Sequence, residues 1–391
     1  MASVLLTDGE QRATLAITRS LGCAGHTVYV CSSRAKSLAG ASRYASADIT
    51  VPDPLACSQE FTAAVTALLE QRRIDVLIPV TEAALLALLP LRDSISHVIV
   101  PFPDADTFRQ VCDKAAVASA AHEFGVSVPR QTTLQRPTAR DTLDKSEVEF
   151  PLVLKPARSV AGRSKWGVRH VTEWDDLNQC LDELPPAAYP LMLQQRIIGP
   201  GVGIFLLLWR GATVATFAHR RLREKPPSGG VSVYRESIPT DPDLVRRSVA
   251  LLDRFRWQGV AMVEYKVESA TGTPYIMEIN GRFWGSLQLA IDSGVDFPKL
   301  LLQCVTGGEP EPILDYHTGV RSRWWWGDVD HLLARLRHSP EWLALPPGSP
   351  SRWESVVRFL TLWRPGDRYE VLRSSDLKPF LRETIDWFRG R

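Results

Sequence analysis

The chain lacks an excess of either charge. Lys plus Arg number 46 and Asp plus Glu 44 in 391 residues, a formal net charge of +2. Nucleic acid and anionic membranes favour a clear basic excess, so neither is expected as a partner. Long apolar runs are also missing: the stretches 83–91 and 204–209 fall far short of the ~20 residues that span a bilayer. Asp8 interrupts the opening segment before an apolar region develops, so no secretory signal is read there. Cysteine is sparse and scattered. Cys23, Cys31, Cys57, Cys112, Cys180 and Cys304 form no C-x-x-C. That excludes a disulfide framework or a compact zinc site, and points to free thiols in a reducing cytoplasm. No G-x-S-x-G occurs, and none of the eight histidines pairs with a Ser or Cys in such a context, which removes the nucleophile-elbow hydrolases. What remains is an ordinary globular composition, 45% hydrophobic and 23% charged. The length suits two or three domains of ~150 residues each.

Residues 1–100 alternate short apolar runs with helical patterns. Val4-Leu5-Leu6, 27–31, 48–51, 75–80 and 95–100 read as strands; 11–21, stopped by Gly22, and 61–73 read as helices. This rhythm predicts a parallel sheet with helices on both faces. Asp8-Gly9-Glu10 supplies one glycine where a dinucleotide fingerprint needs three, so the segment reads first as scaffold. Residues 104–124 form one long helical pattern closed by Gly125. Thr172, with Asp175 three residues on, predicts a capping-box variant opening a helix through Leu184. Runs 191–198 and 203–210 read as strands on either side of Gly199-Pro200-Gly201, and Asp241-Pro242 opens a helix through Phe255. Past Gly307-Gly308 the chain holds most of its twelve tryptophans, Trp324-Trp325-Trp326 among them. That segment reads as a mostly helical extension whose aromatics pack on the main body.

The chemistry concentrates in two runs, 259–267 and 275–280, joined by a turn containing Thr271-Gly272-Thr273. They read as a hairpin. With Val267 facing Tyr275, Glu264 lies opposite Glu278, and Asn280 points to the same side. Opposed carboxylates repel, so a divalent cation is the natural counterpart, and oxygen-only ligands favour Mg2+ or Mn2+ over zinc. A solvated face with the carboxylates splayed apart is the competing reading. Lys155 ends an apolar strand before Pro156, followed by the small, basic loop 157–168. Its amides and cations suit a polyphosphate, although Val168 stands where a P-loop requires Lys. His219 to Gly230 is a basic run feeding a Pro/Gly-rich loop, which suits an anion-binding flap or a solvated charged loop. His219 read there is a loop histidine, and general-base chemistry by it stays open. Trp284-Gly285-Ser286 reads either as lining for an acceptor pocket or as a tight turn with a packed Trp.

This order of parts resembles the ATP-grasp superfamily, in particular the carbamoyl-phosphate-synthetase-like carboxylate–amine ligases. The resemblance is carried by Asp113-Lys114, 124–129, Pro151 to Pro156, Gln194 to Gly199, Val263-Glu264 and Met277 to Phe283, over most of residues 1–305. It implies a Rossmann-like pre-ATP-grasp domain over 1–110 and a two-lobed α+β ATP-grasp domain over 111–308, with its lid at about 115–190. The helical Trp-rich extension then occupies 309–391. By position, Lys114, Lys155 and Ser159 would meet the ATP phosphates, and the hinge Gln195, Arg196 and Ile197 the adenine edge. Glu264, Glu278 and Asn280 would hold Mg2+ or Mn2+. Arg282 would steady the transferred phosphoryl group, and Arg221 or Arg223 the acceptor carboxylate and γ-phosphate. Two departures stand out: Gln195 replaces the usual hinge Glu, and 199–203 offer no ribose-binding acid. The implied activity is ATP-dependent ligation of a small-molecule carboxylate to an amine through an acyl phosphate, in a chain that could form a homodimer. Phosphorylation of bicarbonate or carbamate is one alternative, and a non-catalytic nucleotide-binding protein is the other.

Overall fold

The computed structural model describes residues 1–137, 143, 148–157, 168–361 and 364–390. Three sheets follow one another along the chain. The first holds β1 (Ser3–Leu6), β2 (Thr27–Ser32), β3 (Ala47–Thr50) and β4 (Val76–Ile78), parallel in the order β3-β2-β1-β4. β1 and β4 are buried almost throughout, as strands covered on both faces must be. The expected fifth strand at 95–100 reduces to a bridge: Ile99 donates to Asp75 O and accepts from Leu77 N, both at 2.9 Å. Gly22 does not end the first helix, which runs over Arg12–Cys23. Its lack of a side chain serves packing instead, since a Cβ there would meet Tyr44 Cβ at 2.7 Å. Gly9 likewise lets the turn close on Val30 and Ser37.

The expected helix 104–124 is two helices, Ala105–Cys112 and Lys114–Glu123. Asp113 breaks it, adopting extended backbone and accepting from the amides of Ala115 and Ala116 as an N-cap. A small second sheet follows, with β5 (Gln131–Leu134), β6 (Leu152–Pro156), β7 (Arg169–Val171) and β8 (Leu191–Gln195) in the antiparallel order β5-β8-β6-β7. Helix Trp174–Glu183 packs Leu177 and Leu181 against it, giving this unit its own core. The cap expected at Thr172 is absent: Glu173 is the N-cap residue, and the Thr172 hydroxyl donates to Asp176 instead.

The third sheet has seven strands. They are β9 (Gly201–Trp209), β10 (Ala212–Lys225), β11 (Val231–Ser237), β12 (Gly259–Val267), β13 (Pro274–Asn280), β14 (Arg321–Arg323) and β15 (Asp367–Tyr369). Their order is β13-β12-β9-β10-β11-β14-β15. The basic run at 219–225 is therefore strand, and only 226–230 form the loop. The last segment carries three helices, Trp325–Arg337, Arg352–Leu360 and Lys378–Phe388, over less than half of its described residues, and it also adds β14 and β15 to the central sheet. Trp342 and Trp353 stay exposed, so its aromatics pack only in part. Among the described residues, no helix is long and apolar enough to cross a membrane.

Asp8 sits at φ 57° just after β1, accepting from Thr7 Oγ1 and from both Thr81 N and Oγ1. Burial lifts its pKa to about 6, Glu10 adds to the rise, and the Thr7 and Thr81 bonds oppose it. A carboxyl raised in the fold favours the protonated form. Its stabilising contribution is present below pH ~4 and lost as pH rises through about 6. Asp8→Asn mimics the protonated state and tolerates positive φ. It should raise the free energy of urea unfolding at pH 7.5 by on the order of 1–2 kcal/mol, with little change at pH 4. Equal shifts at both pH values would contradict this account.

Candidate active site

The β12–β13 hairpin does place Glu264 opposite Glu278, by a route the sequence reading did not foresee. At the turn the register is Val267 to Pro274, one residue off the expected pairing. Carried inward, that register would set Glu264 against Met277. A β-bulge leaves Met277 unpaired between Ile276, opposite Tyr265, and Glu278, and so restores the acidic pair. Asn280, two residues on, shares their face, and its Nδ2 donates to Glu278 Oε1 at 3.0 Å.

Cations from separate elements offset the repulsion. Because Asp113 restarts the helix, Lys114 stands in its first turn with Nζ 3.4 Å from Glu278 Oε2. Its amide donates to Ala157 O at 3.3 Å, tying the helix to the end of β6 that carries Lys155. Lys155 is buried. Burial first, and then Lys114, push its pKa down to about 8, while Glu278 and Glu264 pull it up. Arg282 donates to Asn280 Oδ1 at 2.9 Å. Arg221 reaches Glu264 from β10, across the intervening β9. It can cross because β9 carries Gly201 there: a Cβ on Gly201 would stand 2.8 Å from Arg221 Cδ. Arg221 also donates to Glu224 Oε1 at 2.9 Å.

The two carboxylates are shifted in opposite directions. Burial works against the charged form of Glu278, but Lys114, the Asn280 bond, Lys155 and Arg282 outweigh it and hold the pKa at about 2. Glu264 goes the other way. Burial, Glu278 and Glu224 raise it against the opposing pull of Arg221. Among the described residues no group of three His, Cys, Asp or Glu side chains is placed to hold a metal. An ion here would rest on two carboxylates and one amide oxygen. That hard-oxygen donor set fits Mg2+ or Mn2+.

Residues 188–326 match the family described as ATP-grasp in the biosynthetic pathway with Ter operon. The chain superposes on L-amino acid ligase from Bacillus licheniformis with a TM-score of 0.63 at 18% identity, covering 79% of this chain and 75% of that one. Biotin carboxylase from Campylobacter jejuni, solved as a beta-gamma-ATP complex, gives 0.63 at 16% identity, covering 82% and 74%. N5-carboxyaminoimidazole synthetase from Staphylococcus aureus, complexed with ADP, gives 0.63 at 13%, covering 82% and 80%. No curated protein matches the sequence. The chain carries an ATP-grasp fold. Its Rossmann-like front sheet, its two α+β lobes and its C-terminal extension are the parts expected from the sequence.

Within this ATP-grasp fold the other anticipated residues are spread unevenly. At the hinge, Gln195 N donates to Arg130 O at 2.8 Å and Arg196 N to Pro151 O at 3.1 Å. Gln195 Oε1 accepts from Arg130 N at 3.3 Å, and the Arg196 side chain donates to Ala344 O. Of the three residues expected at the hinge, Ile197 is the one whose amide these pairs do not take. Arg223 is not brought to the acidic pair. Asp328 holds it by two bonds of 2.6 Å, and it lies over Tyr234. His219 is no loop residue: it is fully buried on β10 with its ring edge against Phe205. Trp284 is core, packed between Phe205 and Phe297. Ser159, with 158–167 of the basic loop, lies outside the described residues. Sequence reading passed over Glu224 and Lys266. The period of two along β12 puts Lys266 on the face of Glu264, a signal that was available; Glu224 reaches Arg221 only through the β10 bulge.

The chain enters β9 through Gly199, where a Cβ would lie 1.8 Å from Val267 O and 3.1 Å from Ser269 N. Both are backbone atoms, pinned by bonds from Val267 N to Pro200 O and from Ser269 N to Ile198 O. Gly199→Ala should therefore cost about 2–3 kcal/mol in urea unfolding. An unchanged midpoint would remove this close approach.

Proposed function

We propose that the protein is an ATP-dependent carboxylate–amine ligase working through an acyl phosphate. The supporting observation is the in-register pair Glu264 and Glu278, with Asn280 beside it, ringed by Lys114, Lys155, Arg221 and Arg282. Such a set complements a polyphosphate: anions for a metal, cations for phosphate oxygens. Residues 1–110, 111–308 and 309–391 act in this reading as front domain, ATP-grasp domain with a lid at about 115–190, and extension.

Lys114 and Lys155 bind the phosphates. Glu264, Glu278 and Asn280 Oδ1 would hold a divalent ion, which would supply positive charge beside the phosphates. Lys114 and Arg282, which pair with Glu278 and Asn280, would exchange those partners for phosphate oxygens with an ion in place. Ile197 at the hinge meets the adenine edge. Arg282 steadies the phosphoryl group in transfer, and Arg221, reaching over Gly201, orients the acceptor. A carboxylate oxygen attacks the γ-phosphorus and ADP leaves. An amine then attacks the acyl carbon, loses a proton, and phosphate departs with the C–O bonding pair. Alignment and charge neutralisation do most of this, since phosphoryl transfer needs little covalent help.

ADP release with Mg-ATP, hydroxylamine and a panel of carboxylic acids tests the reading. A hydroxamate formed with one acid is expected, whereas AMP release would replace acyl phosphate by adenylation and overturn it. Glu278→Gln should lower ADP release by at least ~100-fold with an unchanged circular-dichroism spectrum. A variant that keeps wild-type, Mg2+-dependent turnover would sink the metal role. Arg221 and Arg223, both on β10, should separate. Arg221→Gln is expected to abolish turnover, and Arg223→Gln to lower stability by about 3 kcal/mol by stripping a partner from buried Asp328.

A further inference from the structure

A second site stands apart from the acidic pair. A cavity of about 800 Å3 opens between the front domain and the C-terminal extension, lined by Arg12, Lys225, Trp324, Trp326, Trp387 and Glu383. The first helix contributes Arg12, the end of β10 contributes Lys225, and helices Trp325–Arg337 and Lys378–Phe388 supply most of the rest.

The hydrogen bonds already made inside it narrow what it can take. All three indole N–H groups are spent on the protein: Trp324 on Glu383 Oε1 at 2.7 Å, Trp326 on Thr384 Oγ1 at 3.0 Å, and Trp387 on Asp330 Oδ1 at 2.9 Å. The tryptophans therefore offer ring faces and edges, with Trp326 and Trp387 stacked at 4.3 Å between centroids. One face of Trp324 already carries the Arg12 guanidinium at 3.8 Å, and Lys225 Nζ lies 5.6 Å from the same ring. Fixed positive charge is mostly matched: Lys225 by Asp330, Arg12 by Glu370, and Arg34 by Asp386 at 3.9 Å. Arg337 also lines the cavity. One lining acceptor, Glu383 Oε2, is buried with no hydrogen bond. A buried acceptor left unmade is costly, and a charged donor satisfies it best.

We propose that this cavity binds a primary amine as its ammonium ion, with the charge at Glu383 and the carbon skeleton against Trp326 and Trp387. Indole faces attract cations as well as covering apolar surface, so both ends of such a molecule are served. Burial, reinforced by Glu370, lifts the Glu383 pKa to about 7 against the Trp324 bond, Arg12 and Arg19. An arriving ammonium removes that penalty. Arg12 links the cavity to the segment that follows Arg282. A Cβ on Gly285, three residues past Arg282, would lie 3.0 Å from Arg12 Nη2. Arg12 also shares Glu370 with Arg235, which stands opposite Arg221 in the β10–β11 register. As the place where the second substrate waits, the cavity rests on the ligase reading; as an amine site it does not.

The test is NMR titration of the full chain at pH 8 without ATP, using benzylamine, benzyl alcohol and benzoate as cationic, neutral and anionic probes of one shape. Benzylamine should bind at least about tenfold more tightly than benzyl alcohol, and benzoate more weakly still. Glu383→Gln, which keeps an acceptor for Trp324, should erase the preference for benzylamine over the alcohol. Trp326→Ala should weaken both probes. Equal binding of all three, tighter benzoate, or no binding would overturn the proposal. Because ATP is absent, benzylamine binding beside a failed hydroxamate assay would keep the site and discard the ligase. The reverse result would do the opposite.

Discussion

Two carboxylates facing each other across a β-ladder are the constraint on which the centre of this molecule depends. Glu264 and Glu278 repel across the ladder, each only partly exposed to water. The fold answers with cations from four places: a helix start, the end of a strand in the small sheet, the far side of β9, and the residue two beyond Asn280. Each requires its own local device. Lys114 depends on Asp113 breaking a helix, and Arg221 on a glycine in the strand it crosses.

The same charges make the site suited to polyphosphate. Glu278 is held firmly anionic, while burial pushes Glu264 towards its neutral form against the pull of Arg221. An arrangement of fixed ions that balance only one another is able to exchange partners when a metal and phosphates arrive, without a new fold. The C-terminal extension joins this economy of charge. Asp328, itself fully buried, takes both Arg223 and Arg323, and Glu370 takes Arg12 and Arg235. These pairs lock the extension to the central sheet and to the first helix.

Much of the fold was legible in order and type. The parallel front sheet, the hairpin, the Asp241-capped helix and the acidic pair all follow from periodicity and turn chemistry. Errors fell where a tertiary partner overrode a local signal. Gly22 looked like a helix stop but is small because Tyr44 lies against it. The basic run at 219–225 looked solvated, yet β10 carries His219 into the core and Arg223 onto Asp328. No local rule reveals an acid more than a hundred residues away. The acidic register came out as expected only because a bulge cancelled a one-residue slip at the turn.

The sequence by itself determined which residue types stand at which spacing: a strand period of two brings Glu278 and Asn280 to one face, and an Asp before Lys114 starts a helix there. Those are local properties, set by backbone geometry over a few residues. Only the tertiary structure decided which cation meets which anion, and that three tryptophans from the end of the chain wall a cavity with Arg12 from its beginning. Charge pairing and enclosure depend on distance in space, and chain order does not encode that distance until the sheets and helices have packed.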